Sequence, residues 1–263
     1  MDVPTRLPTL FLSHGSPMLA VEDSPAGRFL DGLGRQLPWP RAVVVVSAHF
    51  MTDRPMVGGH IQPHTVHDFG GFPEALYQIR YPAPGAPDLA EQIAQRLADA
   101  GLNPRVRENH GLDHGVWVPM LRMYPDADVP VVPVSVMPHG DAAQHYALGQ
   151  ALAPLRDEGV LVIGSGGFVH NLGDLDWNHP QAPLAPWAQE FGDWMHTMLS
   201  AHDWPALLDW QRRAPHAHHA HPTVEHLMPL FVALGAAGDT PAVRTIHRSH
   251  QLGTLSLDAF AFD

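Results

Sequence analysis

At 263 residues, with 45% hydrophobic and 16% charged side chains, the chain has material for one large α/β domain and the composition of an ordinary globular protein. Its formal charge of -12, with 15 basic residues that form no run, excludes non-specific attraction to nucleic acid or anionic lipid, which needs clustered cations. The absence of cysteine excludes disulfides, thiolate zinc sites and cysteine nucleophiles, whereas 20 histidines, more than all Lys and Arg together, raise the expectation of metal chemistry.

No window reaches the roughly 18 consecutive apolar residues of a membrane span, and Met1 to Leu12 lacks the regions of a signal peptide, so the expected address is the cytoplasm. Thr9 to Leu12 reads as a buried strand that ends in Ser13-His14-Gly15-Ser16-Pro17. Ala26 to Gln36 has the spacing of a helix, closed by Pro38 and Pro40. Ala42 to Ala48 is a stronger buried strand and runs into His49. From Phe50 to Pro87 the chain is rich in Pro and Gly, with extended pieces near Met56-Val57 and Leu76 to Ile79. Its aromatic content suits a lid or a wall over a site.

Asp88 to Ala100 is an amphipathic helix stopped by Gly101. A short strand near Val106 leads to Asn109-His110-Gly111-Leu112-Asp113-His114-Gly115 and a helix through Trp117 and Leu121. Val129 to Met137 is a third buried strand, which Pro130 and Pro133 push toward an edge or a kink. A helix over Ala142 to Asp157 precedes the strand Val160 to Gly164, which ends in glycines before His170. Those glycines lack both the Gly-Lys-Ser/Thr and the GxGxxG spacing of a phosphate cradle. Gly164-Ser165-Gly166 is likewise out of pattern for a serine nucleophile elbow. Trp187 to Leu199 and Pro205 to Arg213 are helical, Thr223 to His226 opens an apolar helix through Leu234, and Val243 to Ile246 and Gly253 to Phe262 are terminal strands. The expected fold is a single α/β domain over residues 1–263, with a central, mostly parallel or mixed sheet flanked by helices.

Four histidines, His14, His49, His170 and His226, sit where a regular element gives way to a loop or a helix begins. Open α/β sheets bind ligands at such strand ends, and rigid elements hold metal-ligand geometry. Any one of them alone reads more readily as a hydrogen-bonded core histidine, and the four together shift the balance toward a metal site. The tract His216 to His221, between two prolines, reads as a mobile surface loop with incidental metal binding. Glu225 is expected to be solvated or capping, because on a helix its side chain would point about 100° away from that of His226. Asp68 and Asp113 each adjoin a histidine and either orient an imidazole or serve a turn.

Several motifs together resemble the DOPA 4,5-extradiol dioxygenase branch of the class III extradiol ring-cleavage dioxygenases. They are Leu12-Ser13-His14-Gly15-Ser16-Pro17, Ser47-Ala48-His49, His67-Asp68-Phe69-Gly70-Gly71-Phe72-Pro73 with Leu76-Tyr77, Leu112-Asp113-His114-Gly115, Val169-His170-Asn171-Leu172 and Pro222-Thr223-Val224-Glu225-His226. The resemblance spans almost the whole chain. It implies a mononuclear non-haem metal, Fe(II) in active enzymes and Zn(II) in some isolated members. His14, His49 and His226 fall on its metal-ligand positions, and His170 on an acid-base position with a possible fourth ligand role. His114 falls on a catalytic, substrate-binding position, and Ser16, His67, Phe72 and Tyr77 on the substrate pocket. Where relatives more often use two histidines and a glutamate, His226 leaves this site one unit more positive.

The implied reaction is cleavage of a DOPA- or caffeate-like catechol by O2 to a ring-opened semialdehyde. No nucleic acid or membrane partner is expected, and the oligomeric state is left open. Two rivals stand beside this reading: a zinc-dependent hydrolase on the same scaffold, and a non-catalytic metal binder using the His216 to His221 tract.

Overall fold

The computed structural model describes residues 6–263; residues 1–5, the start of the expected domain, lie outside the described residues. The valine-rich runs form the middle of an eight-stranded sheet. In chain order the strands are β1 (Thr9–Ser13), β2 (Ala42–Met51), β3 (Met56–Gly58), β4 (Arg105–Arg107), β5 (Val131–Val136), β6 (Val160–Gly166), β7 (Val243–His247), β8 (His250–Gln251), β9 (Leu255–Ser256) and β10 (Ala259–Phe262). The sheet order is β4-β3-β5-β2-β6-β1-β10-β7, and β8 pairs with β9 apart from it. The four central strands, β5, β2, β6 and β1, run parallel, while β3 and β10 join antiparallel on either side.

Strands buried on both faces read as unbroken apolar runs, and β2 does so. Val44 and Val46 point into one core with Phe11, Val160 and Val162. Val43 and Val45 point into the other with Leu10, Leu12, Leu161 and Ile163. Helices α3 (Pro87–Asp99), α5 (Ala142–Leu152), α6 (Pro186–Ala201) and α10 (Met228–Ala237) cover the first face, while α1 (Pro25–Gln36) and α4 (His114–Met123) cover the second. Among the described residues no helix is long and apolar enough to cross a membrane.

The expected elements differ from the structure at a few places. Val129 to Met137 yields β5, which lies inside the sheet and not at its edge. Its Pro133 is tolerated because β3 meets β5 at the single pair Val57↔Val134. Gly58 also leaves space for the ring, since a Cβ there would lie 2.5 Å from Pro133 Cγ. The supposed extended piece at Leu76 to Ile79 is instead the end of a helical turn, α2 (Glu74–Tyr77), entered through Pro73. Pro154 converts the end of the Ala142 to Asp157 helix into a 3-10 turn over Ala153–Glu158. Pro205 to Arg213 splits into α7 (Trp204–Leu208) and α8 (Trp210–Arg213). The last predicted strand divides into β9 and β10 because Leu257 N–H turns aside to Ser249 O at 2.8 Å.

Two histidines outside the strand ends are structural. Buried His145 accepts the Met137 N–H at Nε2 (3.0 Å) and donates from Nδ1 to Asp141 O (2.8 Å). Buried His221 bonds through Nε2 to Phe168 O at 3.1 Å. Burial lowers the pKa of His145 and pushes that of His221 down to about 3. The unfolded chain, with ordinary imidazoles near 6.5, then binds more protons than the folded one, so stability is full above that value and drains away as pH falls. The melting temperature is expected to drop steadily between pH 6.5 and 4, with a shallower slope in His145→Gln. An unchanged slope in calorimetric scans would remove His145 from this account.

Candidate metal centre and substrate cavity

Three parallel strands bring their carboxyl ends to one edge of the sheet, with Ser13 level with Gly166 and Ser47 level with Ser165. His14 follows β1 directly. His49 lies in β2 where its ladder with β5 slips between Ser47 and Met51, a bulge of the kind that re-aims a side chain. His226 comes from a turn ahead of α10, pressed onto the end of β6. Gly167 N–H donates to His226 O at 2.8 Å, and a Cβ on Gly166 would sit 2.0 Å from that same oxygen. The glycines at the strand end are therefore an approach surface for His226 and not a phosphate cradle.

The three imidazoles meet through one kind of atom. His49 Nε2 lies 3.0 Å from His14 Nε2 and 3.3 Å from His226 Nε2, and the candidate ligand atoms of the three all fall within 4.8 Å of one another. Each Nδ1 faces outward to an oxygen. His14 Nδ1 is 3.0 Å from Ser165 Oγ, whose own hydrogen goes to Gly115 O. His226 Nδ1 is 3.0 Å from Glu225 Oε1 and His49 Nδ1 is 3.3 Å from Asp68 Oδ2. These acceptors assign the proton to every Nδ1 and leave three Nε2 lone pairs pointing at one another. Facing lone pairs repel, and a divalent cation between them removes the repulsion, so the donor set fits a metal ion.

Electrostatics agree with that assignment. Burial first, then neighbouring imidazoles, lowers His14 and His226 well below the usual histidine range. Burial and His114, opposed by Asp68, lower His49 to about 3. All three are thus neutral near pH 7, the form that ligates metal. Burial would raise the Asp68 carboxyl, but hydrogen bonds from His114 and the nearby His49 outweigh it and hold the group at about 2.

The Nε2 cluster opens into a cavity of about 480 Å³ whose lining includes Ser16, Asp68, Phe69, Phe72, His114, His170, Leu172 and Trp177. His114 is anchored by Asp68, which accepts its N–H at 2.9 Å and its Nδ1–H at 3.0 Å. His170 stacks flat on His226, with ring centroids 3.4 Å apart and planes 7° from parallel. A second His/Asp/His group, His49, Asp68 and His114, shares this wall.

The family model described as the catalytic LigB subunit of aromatic ring-opening dioxygenase matches residues 8–260. The chain belongs to the LigB family. It is 43% identical over 259 residues to the 4,5-DOPA dioxygenase extradiol of Beta vulgaris, covering 97% of this chain and 96% of that protein. It is 40% identical over 258 residues to the protein of the same name in Escherichia coli (strain K12), covering 96% and 93%. The crystal structure of an uncharacterized protein from Escherichia coli K12 superposes with a TM-score of 0.83 at 34% identity, covering 98% of this chain and 100% of that one. As a LigB-family member with this donor cluster, the protein is a metal-dependent extradiol ring-cleavage dioxygenase acting on a catechol-like substrate with O2.

Within the LigB site the expected residues divide. Ser16, Phe72, His114 and His170 face the cavity with His14, His49 and His226, whereas His67 and Tyr77 are not among its lining residues. His67 Nε2 is 3.1 Å from Ile79 O, and the Tyr77 ring packs 5.2 Å from that of Phe69; both back the aromatic wall. Glu225 is not solvated. Residues 222–227 form turns and not a helix, so Glu225 and His226 side chains converge and the carboxylate orients the imidazole. Asp113 does not hold an imidazole: it accepts the Ser47 hydroxyl at 2.6 Å.

The His216 to His221 tract is not a loose loop. Ala217 and Ala220 are buried in a short helix, α9 (Ala217–Ala220). His216 pairs with Glu190 at 2.8 Å, and His219 pairs with Asp174 at 2.5 Å while stacking on Trp187. None of the tract joins a metal-competent group among the described residues.

Proposed function

We propose that the metal is Fe(II), held by His14, His49 and His226, and that the substrate is a DOPA- or caffeate-like catechol whose diol faces the three Nε2 atoms. The observation that carries this reading is the convergence of three neutral imidazoles at the floor of a cavity walled by Phe69 and Phe72. Iron bound there would supply open coordination positions for both hydroxyl oxygens and for O2, and a route for electrons from ring to oxygen.

The remaining steps fall to the protein. His170 lines the cavity, and burial pushes its pKa down to about 4 against the opposing Glu225. It therefore enters the reaction neutral, with a lone pair free to take a proton from a catechol hydroxyl and return it as the ring opens. His114 donates Nδ1–H to Asp68, so its Nε2 is the acceptor it offers to substrate. The flat walls of Phe69 and Phe72 orient the ring and exclude water.

Anaerobic loading of the metal-free protein with Fe(II), followed by oxygen uptake with catechol, DOPA and caffeate, tests the reading. The expected result is one O2 consumed per ring cleaved, with a yellow semialdehyde product. Full activity with Zn(II) under argon would replace it with the hydrolase.

A further inference from the structure

Resting on the assignment of His14, His49 and His226 as metal ligands, we infer that Asp68 is a positioning residue that makes metal affinity and catechol binding depend on one another. It grips the substrate-facing His114 with both carboxylate oxygens and offers one of them to the ligand His49. Asp68 Oδ1 accepts the His114 backbone N–H at 2.9 Å, and Oδ2 accepts the Nδ1–H at 3.0 Å. The same Oδ2 lies 3.3 Å from His49 Nδ1. The two imidazoles also touch, with ring centroids 3.9 Å apart.

The grip has a reason in the backbone. The first N–H groups of a helix find no partner within it, and Asp113, at the start of α4, makes no side-chain cap because it accepts the Ser47 hydroxyl instead. Asp68 supplies the acceptor from a loop 46 residues earlier. His114 is buried and fixes the carboxylate, so the oxygen facing His49 is held by a residue outside the donor trio. That oxygen sets the tautomer of both rings, leaving Nε2 of His49 for the metal and Nε2 of His114 for substrate. The Asp68 loop also carries Phe69, whose ring meets the edge of His114 at 5.7 Å between centroids. One carboxylate thus seats a metal ligand, a substrate contact and the aromatic wall. Without the His114 ring N–H it can turn about its remaining bond and lose hold of His49, and by linkage whatever engages His114 is felt at the metal.

A double-mutant cycle on the full-length protein tests this, with Zn(II) titrated into the metal-free forms so that no turnover is needed. Asp68→Asn keeps an oxygen for the α4 N–H, so its circular dichroism should be unchanged, but its amide nitrogen meets the two rings as a donor. Metal affinity should fall by about tenfold or more. His114→Phe keeps a ring and removes the N–H; it should cost about threefold or more although His114 is no ligand. The double variant should bind Zn(II) as Asp68→Asn does. With Fe(II) saturating, Asp68→Asn should raise KM for unsubstituted catechol about tenfold and lower kcat by less than about threefold, a split that a general loosening of the fold would not give. Losses that multiply in the double variant, or an unaltered KM in Asp68→Asn, would overturn the inference and leave the dioxygenase reading intact. A second Zn(II) per chain that Asp68→Asn abolishes would make Asp68 a ligand and overturn its positioning role. No Zn(II) bound by the unaltered protein would overturn the metal assignment as well.

Discussion

A His49→Ala protein is expected to lose its metal. His49 is the middle donor, the one whose Nε2 approaches both His14 and His226, at 3.0 and 3.3 Å. Its removal leaves two imidazoles and a gap. Losing an outer hydrogen-bond partner of a ligand costs roughly 10–100-fold in affinity, and losing a ligand should cost more. After dialysis the variant should hold less than about a tenth of the unaltered protein's metal and show ring cleavage at background, with its circular dichroism unchanged. His67→Ala is the matched control: a histidine outside the cavity, whose loss should leave metal content as it was. Equal metal in His49→Ala and the unaltered protein would take His49 out of the donor set.

The second large effect is expected from a residue that carries no side chain. A methyl group on Gly166 would lie 2.0 Å from the His226 carbonyl oxygen, so Gly166→Ala forces the turn at residues 222–227 away from β6. Overpacking of this kind costs about 1–3 kcal/mol, and the displaced atom belongs to a proposed ligand. Metal affinity should therefore fall by about tenfold or more, with a lower melting temperature. Gly32→Ala, where the nearest atom is the flexible end of Gln36 at 3.4 Å, should leave metal affinity unchanged and, as an alanine inside α1, hold or raise the melting temperature. Separate titration of metal into the two variants reads the difference. Unaltered affinity in Gly166→Ala would mean that His226 does not depend on its contact with the strand.

Much of this site was legible because its anchors are strands. The apolar runs ending at Ser13, Ser47 and Gly166 announce themselves by composition, and the imidazoles just beyond them inherit a common edge from the parallel order. The register of β1, β6 and β2 is a tertiary fact, but parallel packing allows few others. What escaped reading depended on local backbone that composition does not reveal. Glu225 looked misdirected because a helix was assumed where the chain makes turns. The two alanines spaced three apart in the His216 to His221 tract were the available sign that it packs against the core. His67 and Tyr77 share a motif with Phe69 and Phe72, yet only the latter two line the cavity, since α2 folds Tyr77 behind the wall. The rim residues Leu172, Trp177 and Leu252 come from segments without periodicity, joined by Asp176 N–H to Leu252 O at 2.9 Å. Only the folded chain makes them neighbours.

The donor set is also dispersed in a way that bears on how the protein is made. His49 and His226 stand 177 residues apart, and the carbonyl of His226 is seated on a strand that must already be paired. A polypeptide still emerging from the ribosome has no complete nitrogen trio until residue 226 has been translated. Capture of a metal ion by all three imidazoles therefore comes only after His226 has been made and its turn has settled against β6.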